Sequence, residues 1–345
     1  MGRADPSEAL IESGEGRMDA ICVEGLTKYY GDLLAVDHVS FTVHQGEVFG
    51  FLGPNGAGKT TTQRMLTTLL EPTEGRIAVF GHDYARDAFP AKRHIGLVPE
   101  ESNVYTELTA WENLMFTARL YRVPKAARQA QARELLESFG LWEKRHVKAE
   151  SFSKGMRRRL SIAMALIHRP SLLFLDEPTP GLDVQSTRAI HELIRRMNAE
   201  GRTIFLTTHQ IEEASQLCDR VAIINHGRIA AIDTPESLKR AILKVQSIEV
   251  AFNLTERDLA PQLRALDAVR TVAKMGDKWR LYTEDPSRVL ISLLDFSRTH
   301  DLRVVSLCTL APSLEDVFLE ITGREVGSIR DERGRNASRR TGGER

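Results

Sequence analysis

Cysteine is scarce in this sequence, and its three cysteines lie far apart. Cys22, Cys218 and Cys308 form neither a CxxC pair nor a Cys/His cluster, and their number is odd. A disulfide framework and a zinc site are therefore not supported, and the composition fits a reducing, cytosolic compartment.

Long apolar runs are also missing. The longest, such as 172–175 and 221–224, have the length of a strand and fall well short of the ~18 residues that a membrane-spanning helix needs. The N-terminal segment shows no apolar stretch of the kind that defines a signal peptide. We therefore expect any membrane role to depend on a partner.

An excess of charge of one sign is absent as well, because 47 Lys and Arg residues balance 47 Asp and Glu residues. This balance removes the global basic field expected of a nucleic-acid-binding protein. The fractions of hydrophobic residues (42%) and charged residues (27%) are typical of soluble globular proteins, and the length of 345 residues predicts two domains.

Residues 19–240 alternate strand-like runs with helical patterns, which predicts an α/β domain with a largely parallel sheet. Buried strands are predicted at 48–52, 172–175, 203–207 and 221–224, a helix at 61–70, and a mainly helical region at about 85–168. Within that region, Thr109 and Glu112 form a capping box, and Ser153 is a candidate N-cap of a further helix.

The pattern changes after residue 240. Residues 241–323 predict the order β-α-β-β-α-β of a small α+β, ferredoxin-like domain, followed by a helix at about 312–321. This segment carries no catalytic motif, so regulation and dimer contact are its two candidate roles. The polar segments 1–18 and 324–345 predict disordered extensions.

The strongest chemical signal follows the predicted strand 48–52 and precedes a predicted helix. Its sequence fits G-x-x-x-x-G-K-[ST], the phosphate-binding loop, in the strand–helix context that this loop requires. The glycines let backbone N–H groups approach phosphate oxygens, Lys59 would reach the β and γ phosphates, and the Thr60 hydroxyl would bind Mg²⁺. We predict ATP contacts at Gly53, Pro54, Asn55, Gly56, Ala57, Gly58, Lys59, Thr60 and Thr61.

Two acids end the apolar run 172–175. Asp176, at the carboxyl end of a parallel strand, would face the ligand crevice and hold Mg²⁺. Glu177 would orient and deprotonate the attacking water. His209 ends another strand-like run, and its position alone leaves a structural imidazole and a γ-phosphate ligand as alternatives.

With these residues in order, 19–240 resembles the nucleotide-binding domain of ABC transporters. Besides the loop at 53–60 and the acidic strand at 172–177, the matching segments are the signature (Ser153, Lys154, Gly155, Met156), the D-loop (Asp183), the switch histidine (His209) and the adenine-stacking aromatic (Tyr30). The sheet extension after residue 240 resembles the daunorubicin-resistance-type exporter branch. The resemblance implies a P-loop NTPase fold with a helical subdomain, and ATP and Mg²⁺ as cofactors.

The resemblance also implies partners. Two subunits would pair head to tail, so that Ser153 and Gly155 of one meet the nucleotide of the other. Residues 101–108 and the helix that follows them would face a separate membrane permease, which would place the protein at the cytoplasmic face of the membrane. Nucleic acid is not an expected partner.

Two departures from the family pattern concern charge. Glu100 stands where the family usually has glutamine, so a group that only accepts hydrogen bonds would lie near the phosphates and the metal. The signature has Lys154 and Met156 in place of glycine and glutamine. We interpret the neighbouring arginines, 157–159, as a solvated helix face.

The sequence therefore predicts an ATPase subunit that powers export through a permease. The alternative is a soluble ABC ATPase acting in translation or DNA repair, but such proteins usually carry two cassettes, a coiled-coil insertion or zinc cysteines. An ATP-binding regulator with poor turnover is disfavoured by the intact Glu177 and His209. A P-loop kinase or GTPase would not account for 153–156 and 181–183.

Overall fold

Three β-sheets organise the part of the chain that the structure describes. This computed structural model describes residues 18–241, 246–253 and 258–310, together with Leu314, Val317 and Phe318. The chain divides into two compact units between Pro235 and Glu236. The predicted extensions, except Met18, and most of the predicted helix at 312–321 lie outside the described residues.

The first unit begins with an antiparallel sheet that was not predicted from the sequence. Its strands are β1 (Asp19–Tyr30), β2 (Leu33–His44), β4 (Glu74–Val79) and β5 (His82–Asp83). They lie in the order β2-β1-β4-β5. This sheet matters for the site because Tyr30 is the last residue of β1 and Leu33 the first of β2.

The second sheet of this unit is almost entirely parallel, as predicted. It contains β3 (Val48–Leu52), β6 (Ile95–Val98), β7 (Leu172–Asp176), β8 (Thr203–Thr208), β9 (Arg220–Asn225) and β10 (Arg228–Asp233). The order is β10-β9-β3-β8-β7-β6, and only the β10–β9 pair is antiparallel. Every residue of β3, β7 and β8 is buried, which explains why each strand is a continuous apolar or Thr-containing run rather than an alternating pattern.

Aromatic rings fill the core between the two sheets. Phe41 of β2 stacks on Phe49 of β3 with ring centroids 5.5 Å apart. Phe205 of β8 contacts Phe49, Phe51 and Phe174 at centroid distances of 5.3–5.9 Å. Because each buried ring contributes about 1.5–3 kcal/mol, this cluster fixes the sheet whose strand ends carry the site.

The helices of the first unit pack around these sheets. They are α1 (Lys59–Leu66), α2 (Tyr84–Arg93), α3 (Ala110–Leu120), α4 (Lys125–Ser138), α5 (Lys154–Leu166), α6 (Val184–Ala199) and α7 (Ile211–Leu217). The capping box of Thr109 with Glu112 and the N-cap role of Ser153 are confirmed.

The prediction that the first helix extends to residue 70 is wrong. Helix α1 ends at Leu66, and Thr68 adopts a left-handed backbone conformation with φ 59°. The Thr68 N–H donates to the Met65 carbonyl at 3.1 Å and the Leu69 N–H donates to the Arg64 carbonyl at 2.9 Å, which is the hydrogen-bond pattern of a Schellman cap. This cap at a left-handed residue ends the helix one turn early.

Helix α8 (Pro235–Ala241) begins at the last residue of the first unit, and the second unit continues with β11 (Gln246–Phe252), α9 (Ala260–Arg264), β12 (Val269–Met275), β13 (Lys278–Thr283), α10 (Pro286–Thr299) and β14 (Val304–Leu310). From β11 onward the order is β-α-β-β-α-β, in an antiparallel sheet with strand order β12-β13-β11-β14. Helix α9 is shorter than the predicted 256–266, and residues 254–257 lie outside the described part.

Candidate nucleotide-binding site

The loop between β3 and α1 requires glycine at specific positions. Gly56 and Gly58 have φ values of 80° and 103°, in the left-handed region that glycine adopts readily. A Cβ atom on Gly53 would lie 2.5 Å from the carbonyl oxygen of Ile224, and one on Gly58 would lie 2.7 Å from that of Ala35. The backbone can therefore form this tight cradle only without side chains at these positions.

Lys59 is the first residue of α1, and its side chain folds back over the loop. The ammonium donates to the carbonyl oxygens of Gly53 (2.8 Å) and Pro54 (3.2 Å). It also lies 3.4 Å from Glu177 Oε1, with both side chains 6% exposed. A buried cation thus stands at the point where the loop meets the end of β7.

A cavity of about 430 Å³ opens beside this cation, within the size range of small-molecule sites. Most of the predicted site residues of this unit line it, and they come from β1, β2, the loop, α1 and the ends of the parallel strands. The lining consists of Tyr30, Leu33, Ala35, Asn55, Gly56, Gly58, Lys59, Thr60, Thr61, Glu100, Glu177 and His209. Leu33 and Ala35 were not predicted, because the β1–β2 pairing that places them there is a long-range property of the fold.

Glu177 occupies a strained and highly constrained position. It follows β7 with φ 44°, which is uncommon for a residue other than glycine. Its backbone N–H donates to the Thr207 carbonyl at 3.0 Å. Its carboxylate contacts Lys59 through one oxygen, and the other lies 2.8 Å from Nδ1 of His209. Such strain persists only where surrounding contacts determine the geometry, as at functional sites.

Asp176 ends β7 one residue earlier and is also buried. The Thr207 hydroxyl donates to its Oδ1 atom. Burial raises the pKa of this carboxyl, while the hydrogen bond from Thr207 opposes the rise. A divalent cation would compensate the cost of keeping this carboxylate ionised.

The oxygen atoms near Asp176 fit a magnesium ion. A second cavity of about 280 Å³ is lined by Thr60, Gln63, Glu100 and Asp176, among others, so a hydroxyl and two carboxylates share one space. Mg²⁺ prefers oxygen ligands and is usually bound through one or two carboxylates together with substrate phosphates. Among the described residues no group of three or more His, Cys, Asp or Glu residues could hold a metal ion without such additional ligands.

The predicted signature residues lie at the beginning of α5 and do not line either cavity. The Ser153 hydroxyl accepts from the Met156 N–H at 3.2 Å, and Lys154 donates to the carbonyl of Pro180 at 2.8 Å. A Cβ atom on Gly155 would lie 2.8 Å from the Cβ atom of Ser186, so this glycine permits close packing against α6.

The aspartate of the predicted D-loop lies on this same surface. Asp183 caps α6 through the Ser186 N–H at 2.8 Å, and hydrogen bonds from Ser186 lower the pKa of its carboxyl. The beginnings of α5 and α6 therefore form one joined, exposed surface rather than part of the phosphate cradle in the same chain.

The interpretation of 157–159 as a solvated helix face is wrong for its central residue. Arg158 is only 6% exposed, whereas Arg157 and Arg159 are half-buried. Arg158 donates to backbone carbonyls at the ends of β6 and β7. Helical spacing could have predicted the burial of Arg158, because this residue shares a face of α5 with Gly155 and Ile162, which are both buried.

A second buried network was also missed. Glu213 of α7 accepts from the Thr179 hydroxyl at 2.9 Å, and its Oε1 lies 3.2 Å from Nε2 of His191. The Gln210 amide donates to the same Thr179 hydroxyl at 3.2 Å. These contacts join the segment after Glu177 to the segment after His209.

Comparison with known proteins agrees with this geometry. Residues 36–180 match the family model described as ABC transporter. The chain is 39% identical over 310 residues to the linearmycin resistance ATP-binding protein of Bacillus subtilis, covering 88% of this chain and 98% of that protein. It is 39% identical to the daunorubicin/doxorubicin resistance ATP-binding protein of Streptomyces peucetius (88% and 92%) and 38% identical to a Nod factor export ATP-binding protein of Ralstonia nicotianae (91% and 97%).

Among solved structures, an ATP-binding subunit of an ABC transporter superposes with a TM-score of 0.59 at 32% identity, covering 65% of this chain and 93% of that chain. The sequence resemblance, the phosphate-binding loop and the ABC fold therefore lead to one assignment. This chain belongs to the ABC transporter family, as an ATP-binding and ATP-hydrolysing subunit that uses ATP with Mg²⁺.

Proposed function

We propose that this chain powers export of a small molecule through a separate membrane permease, and that two copies close around MgATP to do so. The observation that carries the proposal is the position of Glu177, whose carboxylate is fixed between Lys59 and His209 beside the phosphate-binding loop. A buried, oriented carboxylate at this place is suited to deprotonating a water molecule that attacks the γ-phosphate.

The loop and the first turn of α1 would bind the triphosphate. Backbone N–H groups within 55–60 would contact the phosphates, and the Lys59 ammonium would reach the β and γ phosphates. The Thr60 hydroxyl and Asp176 would hold Mg²⁺, with Glu100 as a further oxygen ligand. When bound, the metal ion would neutralise charge on the transferring phosphate. Tyr30, exposed at the end of β1 and lining the cavity, offers a ring on which adenine would stack.

Proton transfer would be the task of Glu177, with His209 as its orienting partner. The Nδ1 atom of His209 lies 2.8 Å from Glu177 Oε2, which leaves Nε2 on the other side of the imidazole ring. We therefore infer that His209 bridges the base and the phosphate during turnover, with Nδ1 toward Glu177 and Nε2 toward the γ-phosphate.

The surface formed by the beginnings of α5 and α6 supports the proposal of a head-to-tail dimer. Ser153 and Gly155 are the natural anion-binding groups of α5, because they lie at the positive end of its dipole. They do not line the cavity of their own chain. A second copy would bring them to the nucleotide, and Asp183 would lie at the seam between the two subunits.

An exposed apolar patch on the helical region fits a permease partner. Tyr105 and Phe116 pack edge to face at 5.0 Å, and Leu120 lies one turn after Phe116 on α3 with 60% of its surface exposed. Contiguous exposed apolar side chains typically mark interaction surfaces. The patch includes part of the predicted permease-facing segment, 101–108.

Two further observations bear on location and cargo. No helix in the described residues is long and apolar enough to span a membrane. Attachment at the cytoplasmic face of the membrane would then come through the permease. The relatives named above are named for drug resistance or for export, which favours a small-molecule exporter over the soluble alternative in translation or DNA repair.

The permease proposal can be tested with Tyr105→Ala, Phe116→Ala and Leu120→Ala combined. We expect the triple variant to hydrolyse ATP in solution like the wild type but to separate from membranes that contain the permease. A Tyr29→Ala variant is the control, because Tyr29 is similarly exposed but lies on β1. Retention of the triple variant on those membranes would contradict this docking surface.

A further inference from the structure

The buried side chain of Arg158 joins three segments of the catalytic unit. Its guanidinium donates through Nε to the Pro178 carbonyl at 3.0 Å and through Nη2 to the carbonyls of Asp176 and Glu177 at 2.6 and 2.8 Å. Nη1 donates to the carbonyl of Pro99 and lies 3.5 Å from that of Glu100. All three nitrogens of the group are therefore engaged with backbone oxygens.

These oxygens belong to two adjacent strand ends. Strands β6 and β7 pair in parallel from Ile95 with Leu172 to Val98 with Leu175, so their carboxyl ends lie side by side. Residues 99–100 follow β6, and residues 176–178 follow β7. Arg158 thus connects the segments that follow β6 and β7 to α5 through a single side chain.

The same helix begins with the signature. Arg158 lies five residues after Ser153, which corresponds to about 7.5 Å along a regular helix. The backbone hydrogen bonds of α5 make this helix move as a rigid element. A displacement of α5 at Ser153 would therefore also displace the Arg158 guanidinium and, through its hydrogen bonds, the ends of β6 and β7.

Glu177 is the residue most sensitive to such a displacement. Its backbone has φ 44°, and it is held from the N–H side by Thr207 and from the carbonyl side by Arg158. Loss of one of these two restraints would let the backbone relax and would move the carboxylate away from Lys59 and His209.

The positive charge of the guanidinium also suits this position among carboxylates. Burial lowers the pKa of Arg158 to about 10, and the neighbouring carboxylates Asp176, Glu213, Glu100 and Glu177 oppose that decrease. The group therefore remains charged at neutral pH. Its planar set of donors can span several carbonyls, which a lysine ammonium, a single point of charge, cannot do.

We propose that Arg158 is a positioning residue that couples, within one subunit, the signature end of α5 to the Glu177 carboxylate and the Glu100 segment. This inference rests on the proposed dimer, in which Ser153 contacts the nucleotide of the second copy. Closure of α5 onto that nucleotide then sets the base in the subunit's own site, so the two sites work in concert.

The test is Arg158→Lys, with Arg159→Lys as the matched control. Arg159 lies on the same helix and donates to the Phe139 carbonyl, away from both strand ends. For Arg158→Lys we expect kcat per active site to fall about 100-fold, the loss that a misplaced catalytic group typically causes. KM for ATP should not rise, since Lys59 and the loop are unchanged and a carboxylate displaced from Lys59 no longer competes with phosphate for that cation.

Cooperativity separates positioning from a merely structural role. We expect the Hill coefficient for ATP to exceed 1 in the wild type and the Arg159→Lys control, and to fall to 1 in Arg158→Lys. A purely structural residue would lower the melting temperature and the fraction of active sites, measured by stoichiometric nucleotide binding, but leave kcat per site and the Hill coefficient unchanged. That result would overturn the proposal.

Further outcomes are also decisive. If Arg158→Lys does not fold, Arg158→Gln takes its place with the same expectations, and failure of both variants to fold would make Arg158 a structural residue and overturn the proposal. If the wild type and the control bind MgATP but never form a dimer, the result contradicts the proposed dimer. This conclusion does not depend on the behaviour of the Arg158 variants.

Discussion

Replacing Glu177 with glutamine removes a negative charge from the centre of the site while keeping the size of the side chain. The amide cannot take a proton from water, so the general-base contribution is lost. Such contributions are typically about 10²–10⁴-fold, or about 3–5.5 kcal/mol of barrier. We therefore expect turnover by Glu177→Gln to fall by at least about 100-fold.

Binding of ATP should change in the opposite direction. The Glu177 carboxylate lies 3.4 Å from the Lys59 ammonium and competes with phosphate for that cation. Charge-assisted hydrogen bonds contribute about 1.5–3 kcal/mol, and for this longer contact we take about 1 kcal/mol. Removing the competitor should then raise the affinity for ATP about fivefold.

Both quantities can be measured on the same preparation, with phosphate release giving turnover and calorimetry giving affinity. Glu212→Gln is the control, because it removes the same charge from an exposed position on α7. Turnover by Glu177→Gln within about threefold of the control would refute the assignment of the base. Weaker ATP binding would refute the competition between Glu177 and phosphate for Lys59.

Two further predictions address the dimer surface and the core. Ser153→Arg should abolish hydrolysis yet leave ATP binding by the monomer unchanged, because Ser153 does not line the cavity of its own chain. Ser151→Arg is the control, since Ser151 is also exposed and lies two residues earlier, and this variant should retain turnover. Loss of ATP binding by the Ser153→Arg monomer would count against the proposed dimer. Phe205→Ala should lower the free energy of unfolding by about 3–5 kcal/mol in denaturant titration, because it empties the centre of the aromatic cluster. A loss below about 1 kcal/mol would contradict the role given to that cluster.

Local signals in the sequence predicted much of this fold. Strands β3, β7, β8 and β9 are continuous buried runs, and their hydrophobicity alone marks them. The helix beginnings at Thr109 and Ser153 depend on hydrogen bonds with groups three residues away, so they too are visible in sequence. The phosphate-binding loop is equally local.

Properties that depend on distant contacts were not predictable in the same way. The antiparallel sheet that places Leu33 and Ala35 in the cavity is set by strand pairing. The burial of Arg158 depends on carbonyl groups up to 59 positions away in the chain. The left-handed backbone of Glu177 has no signature in its residue type, and only the surrounding hydrogen bonds maintain it.

In the proposed dimer, each nucleotide is enclosed by the loop of one chain and the α5 end of another. Sedimentation of purified Glu177→Gln protein with and without MgATP tests this most directly. We expect a monomer without nucleotide and, with MgATP, a dimer that contains two nucleotides and is lost when Ser153→Arg is added. A monomer that binds MgATP at saturation and stays monomeric in the presence of the permease would contradict the claim.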